Sequence, residues 1–288
     1  MSFVLTLIAA SGALPSTLVE QVGRAVGAGP AVVLAPDEAA ALTCNASPDP
    51  ALLQAAIGAA PVDAVVTSAA NRRKRLLIAD MDSTIVTSET LDELAAFAGV
   101  GERVAAITRR AMAGEIDFKA ALRERVALLE GLPLAALEQT WAQTRIAPGA
   151  DTLVATMRAN GAATALVSGG FDFFTARVAA ALGFDLHRSN TLLDDGEALL
   201  GRVGEPILDR DAKLQTMHAL AAAHGLGADD CLAVGDGAND LEMIRAAGLG
   251  VAFHAKPIVA EAASARVDHS DLRALLFIQG YKASEFAA

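Results

Sequence analysis

The chain has 288 residues, 53% of them hydrophobic, and a formal net charge of −11 at pH 7. That length accommodates one large domain and a small one with a sizeable core. The acidic balance argues against nucleic acid or an anionic membrane as a natural partner.

Two cysteines, Cys44 and Cys231, stand far apart and suggest neither a disulfide framework nor a zinc site, so a reducing cytoplasm is the expected location. No uninterrupted apolar run reaches the ~18–20 residues of a membrane span. Residues 3–10 are apolar but no Lys or Arg precedes them, so they read as a first strand and not as a signal peptide.

Residues 1–72 are expected to form a unit of their own. Residues 3–9 read as a strand and 14–26 as a helix with Ser16 or Thr17 as N-cap. Two strands, 31–34 and 40–44, flank a turn at Pro36-Asp37-Glu38. A helix over 50–59 and a strand over 64–67 complete a βαββαβ order, the ferredoxin-like split-βαβ pattern. By element order alone it resembles the small regulatory ACT domains that bind amino acids. A folding or dimerisation module, giving a homodimer, accounts for it equally well. Asn71-Arg72-Arg73-Lys74-Arg75 reads as a solvated basic hinge.

The second unit, residues 73–288, opens on Leu76-Leu77-Ile78-Ala79, too short an apolar run for a helix and suited to a buried parallel strand. It ends in Asp80 and Asp82. Side chains two apart on an extended chain point the same way, here out of the strand's C-terminal end. A helical segment follows, inserted at about 87–146 as a cap over those carboxylates, with Thr90 and Glu93 at capping-box spacing. Further on, a strand over 163–167 ends in Ser168-Gly169-Gly170, and a helix over 209–223 carries Lys213. A strand over 231–234 ends in Gly235-Asp236-Gly237-Ala238-Asn239-Asp240, and the tail from 258 on reads as mostly helical. Strands alternating with helices imply an α/β fold, a doubly wound parallel sheet of Rossmann-like form.

Asp80, Asp82, Asp236 and Asp240 then share one cleft. At an effective dielectric of ~20, each pair near 4 Å costs about 4 kcal/mol, so the cluster calls for a divalent cation. All-oxygen ligation favours Mg²⁺. Ser168 offers a hydroxyl, Gly169 lets backbone amides approach an anion, and Lys213 adds a positive charge. Together these groups describe a phosphoryl site. No His, Ser or Cys arrangement suits a hydrolytic triad, which leaves a carboxylate as the nucleophile.

These four motifs in order resemble those of the haloacid dehalogenase-like superfamily, over about three quarters of the chain. The resemblance implies that Asp80 is nucleophile and metal ligand. Asp82 is implied to be the general acid and base, its backbone carbonyl reaching the metal. Asp236 is implied to bind Mg²⁺, and Ser168, Gly169 and Lys213 to hold phosphoryl oxygens. Asn239 and Asp240 then complete the metal shell or position phosphate.

Within that superfamily the cap is similar to the phosphoserine phosphatases, on Glu89, Met112 and the run from Phe118 through Arg125. That likeness implies O-phosphoserine as substrate, Glu89 at its amino group, Arg125 at its carboxylate, and Met112 and Phe118 lining the pocket. Helical projection adds that Phe118, Leu122, Arg125 and Leu129 share one face while Arg123 lies on the other. Spacing alone explains an arginine there as well by snorkelling, and Glu89 by a helix N-terminal charge. Alternative readings are phosphotransfer to another alcohol, such as homoserine, and an amino-acid sensor with a vestigial phosphatase.

Overall fold

The computed structural model describes residues 2–112 and 114–287, with Met112 described by its backbone alone. The N-terminal unit runs β1 (Phe3–Ile8), α1 (Ser16–Val26), β2 (Ala31–Ala35), β3 (Ala39–Cys44), α2 (Pro50–Ile57) and β4 (Asp63–Ser68). Its strands form an antiparallel sheet in the order β2-β3-β1-β4, the ferredoxin-like arrangement. Alternation along β1 gives that sheet two buried faces. Leu5 and Leu7 join Val19 and Val22 of α1 in a core of the unit's own. Val4 and Ile8 face the other way, into the main core of the molecule.

Helix α1 is not capped by Ser16 or Thr17. Pro15 holds the cap position, with no side-chain bond, and its carbonyl accepts from Leu18 and Val19 N–H. The fixed φ of proline sets that first turn.

The main unit opens on β5 (Leu76–Ala79). The cap follows as α3 (Thr90–Phe97), α4 (Gly101–Met112), α5 (Phe118–Ala127) and α6 (Ala135–Gln143). The chain returns through α7 (Ala150–Ala159), β6 (Ala163–Phe171), α8 (Asp172–Leu182) and β7 (Leu186–Asn190). A hairpin, β8 (Leu192–Asp194) and β9 (Leu199–Val203), precedes α9 (Arg210–Ala223). Then come β10 (Cys231–Gly235), α10 (Leu241–Ala246), β11 (Leu249–Phe253), α11 (Pro257–Ala262), β12 (Ala265–Val267) and α12 (Ala274–Ile278).

The six-stranded sheet has the order β12-β11-β10-β5-β6-β7, every neighbour parallel. Central β5 is buried on both faces, Leu77 and Ala79 in one core, Leu76 and Ile78 in the other. This explains its unbroken apolar run. The C-terminal ends of β5, β6 and β10 lie side by side and bring their terminal residues together. Among the described residues, no helix is long and apolar enough to cross a membrane.

Four further expectations are corrected. The tail is not only helical: Ala265–Val267 adds an edge strand, paired from Val251↔Ala265 to Phe253↔Val267. Strand β6 continues through Ser168-Gly169-Gly170 to Phe171, with an irregularity between Val167 and Phe171. Thr90 and Glu93 form no capping box: Glu89 holds the cap position of α3 without a side-chain bond, and Thr90 Oγ1 has no partner.

The basic stretch is not a solvated hinge. Arg72 donates to Thr6 Oγ1 (3.3 Å) on one side and to the carbonyl of Ile278 (2.8 Å) on the other. Lys74 is buried, its ammonium on the carbonyls of Asn71 and Asp229, both at 2.7 Å. Asp63 Oδ1 also accepts from the backbone of Asp268 at 2.7 Å. The cations serve as donors to backbone carbonyls, a role that charge counting does not reveal.

Candidate active site

Asp80 ends β5 and is 4% exposed. After it the chain makes one wide turn, Met81–Ile85, closed by Val86 N–H on the carbonyl of Met81 (2.9 Å). Ser83 sits inside that turn at φ 55°, a left-handed conformation uncommon outside glycine. Ser83 N–H donates to the carbonyl of Ser88 (3.2 Å) and Ser83 Oγ to Glu89 Oε1 (3.0 Å), which holds it there. The turn reverses the chain directly beneath the cap.

Asp80 and Asp82 leave this turn in different company. Lys213 from α9, 2% exposed, puts Nζ 2.6 Å from Asp80 Oδ1 and 2.6 Å from Asp240 Oδ1. Burial works against the Lys213 ammonium, but Asp240 and Asp80 outweigh it and raise its pKa. Two carboxylates thus share one ammonium. The unmatched charge falls on Asp240, whose pKa is raised by burial and by Asp80. Asp236 is pushed up to about 6 by burial and Asp80, against the opposing pull of Lys256, whose Nζ is 3.9 Å from Asp236 Oδ2.

Carboxylate oxygens of Asp80, Asp236 and Asp240 lie within 4.8 Å of one another. Lys213, with the more distant and exposed Lys256, does not neutralise three such groups. The raised pKa values of Asp236 and Asp240 and the all-oxygen donor set fit a hard divalent cation. Asp240, expected in the shared cleft to complete the metal shell or position phosphate, supplies one of the three gathered carboxylates. The Asp82 carboxylate is not in that group.

Asp82 turns instead towards the cap and β6. Its Oδ1 accepts from Thr90 N–H (3.0 Å) and its Oδ2 from Ser168 Oγ (3.2 Å). Burial and the charge of Glu89 push its pKa up to about 7, against the lowering effect of the Thr90 N–H. Ser168 Oγ also accepts from Gly170 N–H at 2.8 Å. A Cβ at Gly170 would fall 2.8 Å from Asp82 Oδ2, so glycine is what lets the two strand ends approach.

From the cap, α5 presents Phe118 against β6: a Cβ at Gly169 would fall 3.4 Å from Phe118 Cζ. Arg125, on the same helix, is half-buried and donates Nε to the carbonyl of Ala121 (3.3 Å). Burial lowers its pKa, while Asp92 and Glu89 support its charge. It forms no ion pair among the described residues. Arg123 lies outside, paired with Glu205 Oε1 at 2.6 Å. Glu89 is exposed at the start of α3, and Asn239 is half-buried beside Asp240. The Met112 side chain lies outside the described residues.

Sequence reasoning missed Asn190. It ends β7, is 2% exposed, and donates Nδ2 to the carbonyl of Gly169 (2.8 Å) while Oδ1 accepts from Leu208 N–H (2.7 Å). It fixes the Gly169 peptide from behind. Its only signal in the sequence was a polar residue ending a run with no apolar periodicity.

A carboxylate strand end, a buried lysine, the Ser168–Gly170 stretch of β6 and an acidic loop thus gather beside a helical cap. The haloacid dehalogenase-like hydrolase family model matches residues 74–248, and the chain belongs to that family. Among its relatives is the phosphoserine phosphatase of Archaeoglobus fulgidus, 44% identical over 202 residues, which are 70% of this chain and 59% of that protein. The chain thus spans less than two thirds of that relative. A phosphoserine phosphatase solved as a phospho-aspartyl intermediate analogue is 40% identical, covers 71% of this chain and 98% of its own, and superposes with a TM-score of 0.66. A haloacid dehalogenase family hydrolase from Salmonella enterica serovar Typhi covers 97% of this chain and 99% of its own, at 29% identity and a TM-score of 0.86. That likeness takes in the N-terminal unit as well.

Proposed function

We propose that the chain is a Mg²⁺-dependent phosphoserine phosphatase that converts O-phospho-L-serine to L-serine and phosphate. The observation that carries this reading is the divergence of Asp80 and Asp82. One is tied to a lysine, the other is held near neutral pH between Ser168 and the cap. Adjacent carboxylates in unlike environments suit unlike roles.

In this mechanism Asp80 is the nucleophile. Its Oδ1 is engaged by Lys213, which leaves Oδ2 to attack phosphorus. As the Asp80–phosphorus bond forms, the bond from phosphorus to the serine oxygen breaks, and that oxygen takes a proton from Asp82. Asp82, now ionised, accepts a proton from water. The water oxygen attacks phosphorus, the Asp80–phosphorus bond breaks, and phosphate leaves with Asp80 restored. A pKa of about 7 lets Asp82 serve in both directions. Asp80 and Asp236, with Asp240 beside them and the Asp82 carbonyl, would hold Mg²⁺, which supplies positive charge for the phosphoryl oxygens. Ser168, the Gly169 amide, Lys213 and Asn239 orient those oxygens.

Selection for phosphoserine is assigned to the cap. Arg125 meets the substrate carboxylate and Glu89 its ammonium, with Phe118 and Met112 closing the apolar side. The half-buried Arg125, without a carboxylate partner among the described residues, supports this role. The product serves serine biosynthesis in the cytoplasm. The test is phosphate release from O-phospho-L-serine with Mg²⁺ and with excess chelator. Release that needs the metal supports the reading, and no release in either condition refutes it.

A further inference from the structure

The gathered carboxylates face two ammonium groups that are held in unlike ways. Lys213 reaches in from α9 with its side chain 3% exposed, and bonds Asp80 and Asp240 at 2.6 Å each. Asp236 takes no part in that arrangement. Its one ion-pair partner among the described residues is Lys256, whose side chain is 55% exposed and whose Nζ stands 3.9 Å from Asp236 Oδ2. That is beyond hydrogen-bond length. The contact is Coulombic, open to water, and easily given up.

The backbone of Lys256 is fixed where its ammonium is not. Its N–H donates to the carbonyl of Asp236 (3.1 Å), and its own carbonyl accepts from Val259 (2.9 Å) and Ala260 (3.1 Å) in α11. Pro257, next in the chain, opens that helix. These bonds keep Lys256 beside the Asp236 loop wherever its side chain points. The flexible stem lets the ammonium reach Asp236 or turn to solvent.

Charge counting separates the two lysines. Against Asp80, Asp236 and Asp240, Lys213 and Lys256 leave one negative charge in excess. A divalent cation added with both ammoniums in place would turn that into one positive charge in excess. Added with Lys256 turned away, it brings the cluster to neutrality. Like charges crowded at one carboxylate repel, so the second arrangement is favoured, and the half-exposed lysine is the one free to leave.

We propose that Lys256 is a tethered counter-cation for Asp236, which the divalent metal must displace. In the metal-free protein it relieves the carboxylate that Lys213 does not bond. On metal uptake it gives up Asp236 and turns to solvent. What the contact adds to metal-free stability it therefore takes from metal affinity. The inference rests on the metal site assigned above and not on which phosphate ester that site takes.

The test uses the full chain, freed of metal, with Mg²⁺ titrated calorimetrically at fixed ionic strength into wild type, Lys256→Met and Lys256→Arg. The side chain lies at the surface, so neither substitution disturbs the core. Lys256→Met keeps the stem and loses the charge, and should bind Mg²⁺ roughly three- to fivefold more tightly, as expected for an exposed ion pair. Lys256→Arg keeps the charge and should bind as the wild type does. Thermal melting at pH 8 gives a second readout. Lys256→Met should melt below the wild type with chelator present and level with it at saturating Mg²⁺. A residue acting through packing alone would lower both melting temperatures and leave the affinity unmoved. Lys256→Met that binds Mg²⁺ no more tightly than wild type, a melting deficit that persists at saturating Mg²⁺, or Lys256→Arg that binds as tightly as Lys256→Met overturns the proposal. A wild-type chain that takes up no Mg²⁺ overturns the metal site itself, and this inference with it.

Discussion

Asp82 Oδ1 accepts the backbone N–H of Thr90 at 3.0 Å. The second carboxylate of the pair thereby satisfies an otherwise orphaned amide in the first turn of the cap's first helix. The cap and the sheet are joined at the carboxyl group proposed to carry the proton. Thr90→Pro isolates this contact, because proline is accepted at the first helical position and Glu89 already has the extended backbone that must precede it. Loss of the N–H removes a bond that lowers the Asp82 pKa. We expect kcat to fall roughly 10- to 150-fold and the Asp82-dependent limb of the pH–rate profile to move to higher pH. An unchanged profile would dissociate Asp82 from the proton transfer.

Lys213 is the positive charge against which Asp80 and Asp240 are buried. Lys213→Met leaves two carboxylates uncompensated, and removal of one partner from a buried pair costs about 3–5 kcal/mol. Protonation of Asp240, whose pKa is already raised, relieves part of this. Urea unfolding should therefore show a larger deficit at pH 8 than at pH 5.5. Equal deficits would mean that the lysine acts through packing alone.

Asp82, Asp236 and Asp240 all have folded pKa values above the usual carboxylate range, about 7 for Asp82 and about 6 for Asp236. The folded state then binds more protons than the unfolded state between about pH 4 and pH 7. Through these groups the stability of the metal-free protein falls as pH rises across that window. Mg²⁺ binds the ionised forms, so its stabilisation should grow over the same window. Melting temperatures with Mg²⁺ and with chelator should diverge from pH 5 to pH 8. A difference independent of pH would remove Asp236 and Asp240 from the metal site.

Arg125 and Arg123 are two residues apart on α5, yet one is half-buried within the cap and the other pairs with Glu205 at the surface. Arg125→Ala should lower kcat/KM for phosphoserine by roughly 10- to 150-fold, the contribution of a charge-assisted bond, and far less for p-nitrophenyl phosphate. Arg123→Ala should change neither substrate much. Equal losses on both substrates for Arg125→Ala would make it a packing residue.

The parts of this architecture legible in the sequence are those with a period or a punctuation mark. Leu76–Ala79 reads as a buried strand because both its faces are covered, and Asp80 marks its end. Leu186–Asn190 did not read as a strand because its sequence, Leu-His-Arg-Ser-Asn, has no apolar run. Its polar groups are satisfied by distant partners, Arg188 on Thr216 Oγ1 at 2.9 Å and Asn190 on Gly169. Ala265–Val267 is too short to show a period. The docking of the N-terminal unit was invisible for another reason. Arg72 and Lys74 bond backbone carbonyls that fall more than 150 residues away, and no local pattern encodes that.

That docking changes one expectation. Every motif begins at or after Leu76, which on sequence grounds predicts that residues 76–288 fold and catalyse alone. In the structure Ile8, Leu34 and Val65 share a core with Leu275 and Phe277. Deleting the unit would bare that apolar face and leave the carbonyl of Ile278 without Arg72. We expect the truncation to aggregate or to melt well below the full chain. A truncation as soluble and stable as the full chain would show that the interface contributes little.

The covalent route through Asp80 is the centre of the proposed mechanism, and acid-quenched mass spectrometry tests it directly. The protein is mixed with O-phospho-L-serine and Mg²⁺, quenched within a turnover, digested and mapped. The account predicts the added mass of one HPO₃ group on the peptide containing Asp80, at an aspartyl residue. It also predicts that Asp80→Asn shows no such mass and a rate lower by roughly a thousandfold or more. Full turnover with Asp80 unmodified at every quench time, or an active Asp80→Asn chain, would contradict it.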